Sequence, residues 1–256
     1  MRMKRIFGWM AALILLTVSA SFAEEFPLRA EFPDVQVIST RQLQDRFAEV
    51  MVVDVRSAFE YGVAHVNGAV NLPVSQATFV ADLEKVRPKD GAKPLAFYCN
   101  GHACAKSYEA AKAAREAGFG NVLAFDAGIF DWIAVSPEKA TLMGKTPASK
   151  ERILSKEAFK AKLIGFDEFK ARAAQPGVVV IDIRDPFQRD RTPEIPMLRN
   201  IPLDRLTQLI SEKKLKGENF LFLDAVGKQV QWLQYYLEEH GYPNYAFLDK
   251  GVDGIK

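Results

Sequence analysis

The chain has 256 residues, is 48% hydrophobic, and carries 34 Lys plus Arg against 32 Asp plus Glu, a formal net charge of +2. So even a balance excludes the basic excess that a nucleic-acid or polyanion partner calls for, and the apolar content is enough for packed cores. Two cysteines and three scattered histidines offer no metal-ligand spacing, so neither a metal nor a cofactor is expected.

The first predicted element is MRMKRIFGWMAALILLTVSASFAEE, with basic Arg2, Lys4 and Arg5, an apolar run from about Ile6 to Val18, and small residues at Ser21 and Ala23. This reads as a signal peptide over residues 1–23, cut after Ala23. Its rival, an uncleaved N-terminal anchor, fits less well, because the apolar run is short for a membrane span. Cleavage removes three basic and no acidic groups, which leaves 31 Lys plus Arg against 32 Asp plus Glu. The expected localisation is periplasmic or secreted, with no membrane span after cleavage.

The rest of the chain is one unit written twice. VMVVDVRSAFEY from Val50 has a counterpart in VVVIDIRDPFQR from Val178, and LAFYC from Leu95 matches FLFLD from Phe220. Each is followed by a helical pattern ending at a glycine, then by NVLAFDAG from Asn121 or NYAFLDKG from Asn244. Continuous apolar, β-branched runs predict strands buried on both faces. Their alternation with helices predicts an α/β class, each half a small parallel sheet flanked by helices. The first domain is placed at 33–140 and the second at 163–256. Between them 141–162, rich in lysine and without a strand signal, reads as a partly helical linker.

Both cysteines fall in FYCNGHACAKS, residues 97–107. A strand ending at Cys99 and a helix starting near Cys104 to Ser107 put a thiol at the carboxyl end of a strand, where sites of open α/β sheets lie. The positive end of the helix favours an anion and lowers a thiol pKa. Lys106, and His102 if protonated, add to that field, and Gly101 permits the backbone angles of an anion-binding nest. A disulfide five residues wide would remove little entropy from the unfolded chain, so stabilisation is a poor reason for the pair, although an incidental local bridge stays open. In the second half Asp224 stands where Cys99 stands in the first, and the turn after it is two residues shorter.

These residues resemble the rhodanese family of sulfurtransferases. VVDVRSAFEYGVAHVNGAVNLP, FYCNGHACAKS and LAFDAGIFDW occur in the family's order, and VVVIDIRDPF and FLDKG give a weaker match in the second half. The resemblance implies two tandem rhodanese-like domains, the C-terminal one degenerate because a carboxylate cannot form a persulfide. It implies Cys99 as catalytic nucleophile, substrate contacts from Asn100, Gly101, His102, Ala103, Cys104 and Lys106, and support from Asp54 and Arg56, the latter pair read foremost as an ion pair fixing its turn. Glu60 and His65 are read as supporting the same turn. The family's arginine, about five positions past the cysteine, is replaced here by Cys104. Related phosphatases need an arginine where this chain has Ala105, so a phosphatase is not expected.

The function implied is movement of sulfane sulfur from a small donor such as thiosulfate to a thiol or cyanide acceptor. Two other classes stay open: a dithiol redox or sulfur-relay protein using Cys99 and Cys104, and a non-catalytic binding protein whose domains meet an exported protein partner. In the second half Val226, Val230, Leu233 and Leu237 recur at helical spacing beside Trp232 and Tyr236, a stripe read foremost as core.

Overall fold

A computed structural model describes residues 26–87 and 93–255; the signal-peptide reading lies outside the described residues. The chain divides into two compact units. One comprises residues up to Ala58 with His65–Ala140, and the other comprises Phe59–Ala64 with the chain from Thr141 onward.

In the first unit the apolar runs form β1 (Met51–Asp54), β4 (Leu95–Tyr98) and β5 (Val122–Phe125) as expected, and the structure adds the short β3 (Val70–Asn71) and, beginning at Ala64, which is assigned to the other unit, β2 (Ala64–Val66). The main sheet is parallel, in the order β3-β1-β4-β5. Val53, Ala96, Phe97 and Ala124 are fully buried, as a parallel sheet covered on both faces requires. From β1 the chain moves to one side of the sheet, to β3, and then returns to β4 on the other side of β1. The carboxyl ends of β1 and β4 therefore flank the point where the direction of winding reverses, which is where open α/β sheets hold their ligands. The register pairs Asp54 with Tyr98 and Tyr98 with Phe125, so the residues next along, Val55, Cys99 and Asp126, emerge level at that edge.

The helix after β4, Lys106–Glu116, has the alanine-rich sequence KSYEAAKAARE and buries Tyr108, Ala110, Ala111 and Ala114 on the sheet. Alanine keeps helix propensity high and lets the helix approach the strands closely. Ahead of β1, helix Thr40–Asp45 begins at a capping box in which Ser39 and Gln42 satisfy each other's backbone N–H groups.

The second unit repeats the plan. After β6 (Ala140–Leu142) come β7 (Leu163–Ile164), β8 (Val178–Asp182), β9 (Leu198–Asn200), β10 (Asn219–Leu223) and β11 (Tyr245–Leu248). Their parallel sheet, β7-β11-β10-β8-β9, adds one edge strand to the order of the first. In the first unit a single bridge, Val37 to Ala124, takes that edge position.

Two sequence readings need correction. The segment 141–162 holds more structure than a linker without strands. Thr141 and Leu142 belong to β6, where the sequence carries no strand signal, while the helical part read there is the short helix Lys156–Lys160, capped by Ser155, whose hydroxyl accepts from the Ala158 N–H. Val226 does not extend the apolar stripe of the second unit: helix Gln229–Glu239 starts three residues later and Val226 is 49% exposed, whereas Val230, Trp232, Leu233 and Leu237 are buried. The reason is local. Gly227 takes a positive φ of 74° in the turn before the helix, so helical periodicity does not reach back across it.

Candidate active site

Cys99 follows the buried strand β4 and is itself fully buried. The chain then turns at Gly101, with φ +150°, and the Cys104 N–H donates to the Gly101 carbonyl at 2.9 Å. This folds Cys104 back onto Cys99. The Cα atoms are 6.4 Å apart and the sulfurs are joined in a disulfide, within the usual Cα span of such bridges. The helix begins at Lys106 with Ala105 as its N-cap and no side-chain cap. Ser107, on the first turn and fully buried, places its hydroxyl 3.8 Å from the Cys99 sulfur. When the bridge is open, that hydroxyl is positioned to donate to a thiolate.

Three supports hold the loop. The first comes from the turn after β5. Gly128 has φ +72°, and the Ile129 N–H donates to the Cys99 carbonyl at 3.1 Å. The second is the buried Asp54–Arg56 pair. Arg56 Nε donates to Asp54 Oδ1 at 2.9 Å, its backbone N–H donates to the same oxygen at 3.0 Å, and Nη1 reaches the Asn100 side-chain oxygen at 3.3 Å. Asn71 Nδ2 closes the arrangement on the carbonyls of Asp54 and Arg56. Burial also pushes the phenol of Tyr98, beneath Arg56, well above its ordinary pKa, so it stays neutral.

The third support is a segment before residue 33 that the sequence reading left outside the domain. Phe26 stacks on the His102 ring at 4.3 Å, Arg29 binds Asp126 through Nε at 2.7 Å and Nη2 at 3.2 Å, and Phe32 stacks on Tyr108. Asp126 is buried and also accepts from the Tyr108 hydroxyl at 2.6 Å. Burial, together with the Asp126 carboxylate, pushes the Tyr108 phenol up, while Asp126 holds the Arg29 guanidinium above its ordinary value.

The remaining residues proposed from sequence divide. Cys99, Asn100, Gly101 and Cys104 form one turn with Arg56 behind it. Ala103 is exposed at the tip. His102 faces the Asp131 carboxylate through Nε2 at 3.0 Å, so any charge it takes is matched locally. Lys106 is half-buried, and its ammonium makes no hydrogen bond or ion pair among the described residues. Glu60 is buried. Among the described residues no three His, Cys, Asp or Glu side chains gather as a metal site, and no helix is long and apolar enough to cross a membrane.

The model of the rhodanese-like domain matches residues 39–135 and again 166–256, more than half of the sequence. The chain belongs to the rhodanese-like domain family. It is 31% identical over 101 residues to an HTH-type transcriptional regulator of Mycobacterium tuberculosis, across 39% of this chain and 42% of that protein, so it spans less than half the length of that relative. It is 30% identical over 101 residues to the thiosulfate:glutathione sulfurtransferase of Saccharomyces cerevisiae, across 36% of this chain and 71% of that protein. Among solved structures it is similar to a thiosulfate sulfurtransferase from Pseudomonas aeruginosa, at 21% identity and a TM-score of 0.36, covering 85% of this chain and 41% of that one.

The second rhodanese-like domain keeps the frame and changes the centre. Asp182 and Arg184 repeat the buried pair, with Nε to Oδ1 at 3.0 Å and Nη2 to Oδ2 at 2.8 Å. Here Nη1 is satisfied by the Gln188 and Arg191 carbonyls of its own turn rather than by the loop. Gly251 repeats Gly128, and the Val252 N–H donates to the Asp224 carbonyl as the Ile129 N–H does to that of Cys99. At the position of Cys99, the Asp224 carboxylate accepts from three backbone N–H groups: Gly227, Gln229 at 2.7 Å and Val230 at 3.2 Å. Burial raises its pKa against the pull of those donors. The loop donors of this domain are thus turned onto a side chain of the chain itself.

Proposed function

We propose that the protein is an exported sulfurtransferase that carries sulfane sulfur, from a donor such as thiosulfate to a thiol or cyanide acceptor, as a persulfide on Cys99. The observation that carries this reading is the placement of Cys99. It lies at the reversal point of the first sheet, 3.8 Å from a buried hydroxyl on the first turn of a helix that begins, without a side-chain cap, at Lys106. A helix start and a nearby cation favour a thiolate. They also favour the anionic donor that a thiolate must attack.

With the bridge reduced, Cys99 attacks the outer sulfur of thiosulfate, the S–S bond of the donor breaks, and sulfite leaves with the electron pair. The acceptor then attacks the outer sulfur of the persulfide and restores the thiolate. Two separate half-reactions give ping-pong kinetics. Asn100, Gly101 and Cys104 shape the loop around the bound sulfur, Lys106 supplies the positive charge, and Asp54 and Arg56 hold the loop in place without entering the chemistry. The second domain has no nucleophile at Asp224 and takes no part in the sulfur transfer. Export to the periplasm or the medium is supported by the basic and apolar run over residues 1–23.

The test is steady-state thiocyanate formation from thiosulfate and cyanide by the reduced protein. Wild type turns over and Cys99→Ser does not. Turnover by a folded Cys99→Ser protein overturns the assignment.

A further inference from the structure

In the second domain four residues separate Asp224 from the helix start at Gln229, whereas six separate Cys99 from Lys106 in the first. The two extra residues permit the Gly101–Cys104 turn, and the turn delivers a second sulfur to the nucleophile. A loop lengthened only to admit a larger donor would not need a thiol at its returning end. A bridge serving stability would close a longer stretch of chain.

We propose that Cys104 is a resolving thiol, so that the first domain reduces the sulfane sulfur of thiosulfate to hydrosulfide; this rests on the persulfide reading of Cys99. After thiosulfate has loaded Cys99 and sulfite has left, Cys104 attacks the Cys99 sulfur. The Cys99–Cys104 bond forms, and the bond between Cys99 and the outer sulfur breaks. The outer sulfur departs with the electron pair and takes the proton from Cys104, leaving as hydrosulfide. The two cysteines supply the two electrons, and the enzyme is left in the bridged form seen in the structure. The next cycle requires a dithiol reductant, a small dithiol or a dithiol protein, to exchange with the bridge.

The geometry suits the step. Cys104 already reaches bonding distance of Cys99 with the helix and both neighbouring strands in place, so attack needs no rearrangement of the fold. Cys104 is half-buried while Cys99 is fully buried, so an incoming dithiol meets Cys104 first.

The experiment is a single turnover without oxygen. Fully reduced protein, freed of reductant, is mixed with thiosulfate, and sulfite, sulfide and intact mass are followed together, beside a sample without thiosulfate. Wild type is expected to release one sulfite and one sulfide per chain and to end two hydrogens lighter than the reduced protein. Cys104→Ser and Cys104→Ala are expected to release sulfite, hold one added sulfur on Cys99, and keep it at least about tenfold longer, with no sulfide. A wild-type protein that retains the added sulfur as long as the variants overturns the resolving role while leaving the persulfide reading intact. Absence of sulfite from wild type and variants alike overturns both.

Discussion

Gly128 sits so close to Gly101 that a Cβ built on Gly128 would lie 2.5 Å from the Gly101 backbone nitrogen and 2.6 Å from its Cα. The turn after β5 is therefore a wall against which the cysteine loop is cast. The same contact recurs in the second domain, where a Cβ on Gly251 would lie 2.5 Å from the Ala225 carbonyl carbon.

Gly128→Ala forces two backbones apart and places a side chain at φ +72°. The conformational part costs about 1–2 kcal/mol and the overpacking about 1–3 kcal/mol more. Thiosulfate turnover should fall by more than about tenfold, since a shift of roughly 1 Å at the reacting centre suffices for that. Gly118→Ala is the control: it also has a positive φ but open space around it, so it should lose stability without losing turnover in the protein that remains folded. Urea midpoints and initial rates of both variants decide this, and equal rates would remove the wall from the account.

Asp224→Ala should leave turnover unchanged and destabilise the second domain, because three backbone N–H groups lose their acceptor. The cost is about 1–3 kcal/mol. The pH dependence has a definite sign. Burial raises the folded pKa of Asp224 above its unfolded value, so the folded state binds more protons in that window. The contribution of Asp224 is then full below the ordinary aspartate pKa and declines as pH rises through the folded one. The stability advantage of wild type over Asp224→Ala should therefore shrink with rising pH across that window; an advantage that grows would contradict the assignment.

Arg56→Ala and Arg184→Ala should carry similar stability costs, each about 3–5 kcal/mol, because each leaves a buried carboxylate without its partner. The second domain keeps its pair although Asp224 replaces the nucleophile, so a comparable stability cost is expected in both domains. Chemical denaturation of the two variants measures this. A near-neutral Arg184→Ala would show that the pair in the second domain is dispensable.

Arg29→Ala should lower stability by about 1–2 kcal/mol, the pair being buried only on the Asp126 side. Arg29→Lys should recover part of the loss, since an ammonium cannot reproduce the two-nitrogen contact with the carboxylate. Thermal melts of the three proteins test the order wild type, Arg29→Lys, Arg29→Ala.

The repeated apolar runs made the sheets, the strand-end cysteine and the carboxylate in its place at Asp224 legible, because a buried parallel strand leaves an unmistakable continuous pattern. What escaped was decided by residues far apart in the chain. Arg29 and Asp126 lie 97 positions apart, and the 3-10 turn Pro27–Ala30 between Phe26 and Phe32 has neither helical nor strand periodicity, so nothing local marks that segment as part of the site. Spacing alone placed Val226 in a helix that a glycine turn stops short. The function of Asp224 as acceptor for its own loop was hidden for a different reason. Sequence shows that a thiol is missing, but only geometry shows what the carboxylate binds.

The most direct measurement of the central claim is the burst of sulfite when the fully reduced protein is mixed with excess thiosulfate and no acceptor. One sulfite per chain from wild type, and none from a folded Cys99→Ser protein, is the result expected if Cys99 alone takes the sulfur. A burst of equal size from Cys99→Ser would contradict it.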